Sequence, residues 1–123
     1  MPFSGLSRRV PSRPERILRA FEEEFEVDVV HAWGMTETSP LGTLGTLPPH
    51  LVDADIDTRL TQKLKQGRPP FGVELKIVDD EGHDLPNDGV TSGRLMVRGA
   101  AIAAGYFKGV GGDVLDENGY FDT

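Results

Sequence analysis

Between Trp33 and Glu37 a large aromatic, a glycine, a hydroxyl and a carboxylate fall within five consecutive positions, Trp33-Gly34-Met35-Thr36-Glu37. These are the groups that a nucleotide site needs. Trp33 offers a flat face for a base, and Gly34 offers bare backbone for close approach of a phosphate. Thr36 can donate to a phosphate oxygen. Glu37 is a hard oxygen ligand of the kind Mg2+ takes, one or two carboxylates alongside substrate phosphates. On spacing alone an equal alternative stands: Trp33 belongs to a core, and Thr36-Glu37-Thr38-Ser39 is an ordinary polar turn.

Other familiar arrangements are missing from the sequence. There is no G-x-x-x-x-G-K-[ST] loop, no G-x-G-x-x-G after a strand, and no G-x-S-x-G around Ser39. His31, His50 and His83 stand in unrelated contexts without a second ligand at metal spacing, which argues against a zinc site. Asp79, Asp80 and Glu81 precede Gly82 in a turn sequence, where a solvated role is expected.

The elements that must position Trp33 to Glu37 are legible on either side. Ser12-Arg13-Pro14-Glu15 has the form of a capping box, and Ile17, Leu18, Phe21 and Phe25 recur at helical spacing, so a helix is expected over 13–25. Val27, Val29 and His31 then predict a short strand ending at the motif, and open α/β sheets bind ligands at that edge. Residues 41–52 read as a Gly-, Thr- and Pro-rich loop. Asp55 or Asp57 can cap a second helix carrying Ile56, Leu60 and Leu64, with Lys63 and Lys65 near its end and Gly67 as its stop. From Gly72 onward the period becomes two: Val73, Leu75 and Ile77 predict one strand, Leu95 and Val97 another. They should pair antiparallel across turns at Asp79-Asp80-Glu81-Gly82 and Pro86-Asn87-Asp88-Gly89. Gly105-Tyr106-Phe107 and Tyr120-Phe121 are expected at an edge or corner.

Composition bounds the function. The 123 residues carry a net charge of −7, which argues against nucleic-acid binding, although Arg8, Arg9, Arg13, Arg16 and Arg19 cluster near the start. Those arginines read either as the solvated face of a helix or as an interaction arm. With no cysteine, there is no disulfide framework, thiolate ligand or cysteine nucleophile. No transmembrane segment or secretory signal is recognisable, and a cytoplasmic location is the default expectation. The oligomeric state is not legible.

Trp33-Gly34-Met35-Thr36-Glu37 resembles the aromatic-Gly-x-Thr-Glu signature of the adenylate-forming (AMP-binding) superfamily, which includes acyl-CoA synthetases, luciferases and peptide-synthetase adenylation domains. Three further blocks follow in the family's order. Gly67-Arg68-Pro69-Pro70-Phe71-Gly72 resembles its G-R-P-x-P-G segment, Gly93 to Gly99 its G-E-L-x-V-R-G strand, and Gly119 to Thr123 the start of G-W/Y-F-x-T-G-D. The wording from His31 to Gly42 is most similar to fatty-acid-CoA ligases of the medium-chain type.

The resemblance implies an α/β (α+β) fold: an atypical segment 1–12, then the last helix–strand unit, signature loop and connecting helix of an α/β subdomain over 13–66. A partial, turn-rich antiparallel β-subdomain would follow over 67–123. It also implies that Trp33, Gly34, Met35 and Thr36 bind the nucleotide, that Thr36 and Glu37 act catalytically, with Thr36 on the α-phosphate, and that Glu37 ligates Mg2+. The cofactors and substrates implied are ATP/AMP, Mg2+, CoA and a fatty acid. The family's upstream phosphate loop is not in the sequence, Arg8 and Arg9 stand where small residues are expected, and Thr123 comes just before the expected Gly-Asp. The expectation is therefore a fragment of an AMP-forming ligase that is inactive alone. The alternatives are a non-catalytic nucleotide- or partner-binding module, or a truncated relic.

Overall fold

The computed structural model describes residues 15–123; the expected capping serine, Arg8, Arg9 and Arg13 lie outside them. The first helix, α1, spans Glu15–Phe25 and buries Leu18, while Phe21 and Phe25 remain exposed. Arg19 pairs with Glu15 and Glu23 one turn away on either side and reaches Asp57 at 2.6 Å, so it lies on a charged face. The helix ends where Glu26 turns to a left-handed φ of 51° and the Val27 N–H donates to the Phe21 carbonyl at 2.9 Å.

The expected strand at Val27–His31 does not form: residues 26–31 carry no regular element, and β1 is displaced to Ala32–Trp33. A strand exists only through its ladder. Among the described residues nothing pairs with Val27 to Val30, and Val27 and Val30 are exposed. β1 instead pairs antiparallel with β2 (Thr43–Leu44), with Ala32 opposite Leu44 and Trp33 opposite Thr43.

The second helix, α2 (Ile56–Lys63), starts at Asp55, whose carboxylate accepts from the Thr58 N–H at 3.0 Å and the Thr58 hydroxyl at 2.7 Å. It buries Leu60 and packs on α1. Lys63 is not a solvated charge at the helix end. Its side chain is only 3% exposed and donates to both Glu22 and Asp28, while Arg59 donates to the other oxygen of Glu22 at 2.9 Å. Burial opposes the Lys63 charge, but the hydrogen bonds from Asp28 and Glu22 outweigh it and raise its pKa. Gly67, expected as the helix stop, serves a different purpose. A Cβ there would lie 2.1 Å from the Leu44 carbonyl oxygen, so glycine is what lets the 66–68 segment lie against β2, where Leu44 and Arg68 exchange backbone hydrogen bonds.

The alternating stretches form a four-stranded antiparallel sheet ordered β4-β3-β5-β6, with β3 at Val73–Val78, β4 at Asp84–Leu85, β5 at Arg94–Gly99 and β6 at Phe121–Asp122. β3 and β5 pair along their whole length, from Val73 opposite Gly99 to Val78 opposite Arg94. Ile77 and Leu95 face each other across this ladder, and Trp33, Leu75 and Leu85 pack against them. Val78, Val97, Met96 and Phe121 complete the buried set. The mixed helix and antiparallel sheet agree with the expected class. No described helix is long and apolar enough to cross a membrane.

Candidate functional site

Gly34 to Gly42 form a loop closed by the β1–β2 ladder. The Gly42 N–H donates to the Trp33 carbonyl at 2.9 Å, and the Gly45 N–H to the His31 carbonyl at 2.6 Å. Two glycines are obligatory for steric reasons. A Cβ on Gly34 would lie 1.8 Å from the Pro40 carbonyl oxygen, and one on Gly42 would lie 2.2 Å from a ring carbon of Trp33. Trp33 is half-buried, with its six-membered ring against Gly42 and its indole packed on the Ile77–Leu95 cluster. The tryptophan therefore ties the loop to the sheet.

Within the loop, Thr36–Thr38 form a single 3-10 turn. Thr38, 1% exposed, organises it. Its Oγ1 accepts from the Met35 N–H at 2.9 Å, and its hydrogen can serve the Met35 or Pro40 carbonyl, at 2.9 and 2.7 Å. Ser39 adopts a left-handed φ of 47°, and its N–H caps the turn on the Thr36 carbonyl. With Thr38 turned inward, Thr36 is exposed and Glu37 is half-exposed.

Glu37 is held from a distant part of the chain. Its carbonyl accepts the Ala103 N–H at 2.8 Å, and its Oε1 accepts the Tyr106 hydroxyl at 2.6 Å. The phenol donor holds the Glu37 carboxyl below the usual carboxylate range, and the same contact raises the Tyr106 pKa. Among the described residues Oε2 has no partner. The structure thus brings Thr36 and Glu37 together on one turn, with Gly34 and Met35 at its entry and Trp33 behind it. An ionised carboxylate beside an exposed hydroxyl is a donor set that fits a hard divalent cation with a phosphate. Tyr106 was missed as a participant, because a partner 69 residues away leaves no trace in local spacing.

Thr43, opposite Trp33, is fully buried, and its hydroxyl has no hydrogen-bond partner among the described residues. Two cavities among the described residues lie elsewhere. One, of about 460 Å3, is bounded by Glu22, Asp28, Arg59 and Lys63; the other, of about 870 Å3, runs along Ile77, Asp79 and Leu95. The sequence expectation that His83 has no neighbouring ligand is corrected: donor atoms of Asp79, Glu81 and His83 lie within 4.8 Å of one another. The arrangement is that of a capped turn, in which Asp79 Oδ1 accepts the Glu81 and His83 N–H groups at 3.0 and 2.8 Å.

Comparison with known proteins gives consistent matches. The family model for AMP-binding enzymes matches residues 12–107. A medium-chain-fatty-acid–CoA ligase of Ectopseudomonas oleovorans is 48% identical over 110 residues, covering 89% of this chain and 20% of the relative. A 3-methylmercaptopropionyl-CoA ligase of Ruegeria lacuscaerulensis is also 48% identical over 110 residues, with the same coverage. Among solved structures, o-succinylbenzoate coenzyme A synthetase of Bacillus subtilis in complex with AMP superimposes with a TM-score of 0.65 at 25% identity, over 91% of this chain and 21% of that one. The chain spans about a fifth of the length of the curated relatives it matches. On the match across most of its length, the chain belongs to the AMP-binding enzyme family.

Proposed function

We propose that this chain carries one wall of the acyl-adenylating site of an AMP-forming fatty-acid–CoA ligase. In that reaction a carboxylate oxygen attacks the α-phosphorus of ATP and expels pyrophosphate to give acyl-AMP, and the thiol of CoA then attacks the acyl carbon, forming the thioester and releasing AMP. The carrying observation is the Thr36–Glu37 turn: an ionised carboxylate with one oxygen that has no partner among the described residues, next in sequence to an exposed threonine, on a loop whose shape Gly34 and Thr38 impose. In this reading Glu37 ligates Mg2+ and Thr36 donates to the α-phosphate. Gly34 and Met35 line the adenylate and acyl-carboxylate side, and Trp33 flanks the adenine. The metal would neutralise charge on the phosphates, while the turn keeps donors aimed where charge develops.

Residues 13–66 would belong to the α/β subdomain and 67–123 to the β-subdomain, acting in the cytoplasm. Neither of these two cavities is lined by the Trp33–Glu37 turn, and in this reading the turn would grip the nucleotide on one side only. Partial positioning costs many orders of magnitude in rate, and ATP–pyrophosphate exchange with octanoate is therefore expected to show no turnover by this chain alone. The reading is tested by calorimetric titration of AMP with and without Mg2+ into the wild type and Glu37→Gln. Support is Mg2+-dependent binding that Glu37→Gln weakens; equal binding by both proteins overturns it.

A further inference from the structure

Glu37 is gripped twice by one short segment: its carbonyl by the Ala103 N–H at 2.8 Å and its Oε1 by the Tyr106 hydroxyl at 2.6 Å. The Tyr106 ring is itself braced. It meets Phe121 edge-on, with centroids 6.3 Å apart and planes at 73°. Phe121 is 5% exposed and lies in β6, paired with Val97 of β5, which is fully buried. A chain of contacts therefore runs from the middle of the sheet through Phe121 and Tyr106 to one carboxylate oxygen.

An unrestrained glutamate on a surface turn samples many rotamers and must surrender them on binding a cation. Here the phenol has already selected one. We propose that Tyr106 is a positioning residue for Glu37, holding Oε1 so that Oε2 is presented to a hard divalent cation and the nucleotide phosphate it accompanies. The inference rests on the reading of Glu37 as a metal ligand and assigns to the 103–106 segment the task of orienting it. Losing a group that orients a ligating carboxylate typically weakens metal affinity about 10- to 100-fold.

The test is titration of Mn2+, followed by electron paramagnetic resonance, into the whole chain with AMP present. Wild type, Tyr106→Phe and Glu37→Gln are compared. Tyr106→Phe keeps the ring against Phe121 and removes only the donor, so Mn2+ affinity is expected to fall about tenfold while the Ala103 amide keeps its protection from hydrogen exchange. Unchanged Mn2+ affinity in Tyr106→Phe, with binding abolished in Glu37→Gln, overturns the positioning role and leaves the metal-site reading standing. Loss of Ala103 protection together with affinity also overturns it, because the tyrosine then merely folds the segment. Indifference of Mn2+ to Glu37→Gln overturns the site reading itself.

Discussion

Substituting Gly34 by alanine is the sharpest probe of the signature loop, because the obstacle is backbone. The added Cβ would lie 1.8 Å from the Pro40 carbonyl oxygen, 2.8 Å from the Pro40 carbonyl carbon and 3.1 Å from the Leu41 Cα. To reach even a 3.0 Å contact, the Pro40 carbonyl must retreat by more than an ångström. That oxygen is within 2.7 Å of the buried Thr38 hydroxyl, and such a shift breaks the contact. Forced movement of a packed backbone costs about 1–3 kcal/mol, while the Thr38 hydroxyl keeps the Met35 carbonyl, at 2.9 Å, as an acceptor. The expected loss of about 1–3 kcal/mol lowers the melting temperature of a domain this size by roughly 4–12 °C.

Trp33 is the only tryptophan in the chain and packs against Gly42, so its fluorescence reports the loop directly. Thermal melts followed by circular dichroism and by Trp33 emission give the two readouts. Gly72→Ala is the control. Gly72 has a φ of +82° but nothing within 4 Å of a Cβ, so that variant carries only a backbone penalty of about 1–2 kcal/mol and leaves Trp33 unperturbed. Were Gly34→Ala to melt like Gly72→Ala with wild-type emission, the steric account of the loop would be wrong.

Two further outcomes follow from the electrostatics. Glu22→Gln leaves the Lys63 ammonium, 3% exposed, with Asp28 alone, and should cost about 2–3 kcal/mol in denaturant unfolding; a neutral effect would show that the α1–α2 ion pairs are not coupled to folding. Asp55, Asp79 and Asp88 are held below the usual carboxylate range, chiefly by the Thr58 hydroxyl, the His83 N–H and the Thr91 N–H respectively. A carboxylate with a depressed folded pKa contributes stability that is complete above its unfolded pKa and lost as pH falls through the folded value. The melting temperature should therefore stay level down to about pH 5 and decline below it, and a rise on acidification would contradict the turn-capping role of these residues.

What was legible in the sequence is what depends on near neighbours. Ile17 to Phe25, Asp55 with Leu60, and the alternation at Val73–Ile77 and Leu95–Val97 each carry their own period, and α1, α2, β3 and β5 appear where that period places them. Val27–Val30 has the composition of a strand, but a ladder needs a partner, which no local window supplies. The two-residue β1 and β2 are too short for any period and exist because Gly42 and Gly45 donate back across the loop. In the candidate site, residue types at Trp33 to Glu37 were visible as possible chemistry. The inward turn of Thr38, the packing of Trp33 on Ile77 and Leu95, and the grip of Tyr106 on Glu37 were not, since each joins segments distant in sequence.

The uneven strand lengths of the sheet also bear on how copies of this chain meet. Its two inner strands run six residues each, but the flanking β4 and β6 are two residues each, so either flank offers very little regular backbone for another chain to extend. Lys76 bonds to Asp84 and Arg94 to Asp122, placing charge on both short flanks. Strand-to-strand stacking is thereby discouraged on the sheet, and self-association at high concentration would fall instead to exposed apolar side chains outside the strands, Phe71, Val90 and Phe107 beside the sheet and Phe21 and Phe25 on α1.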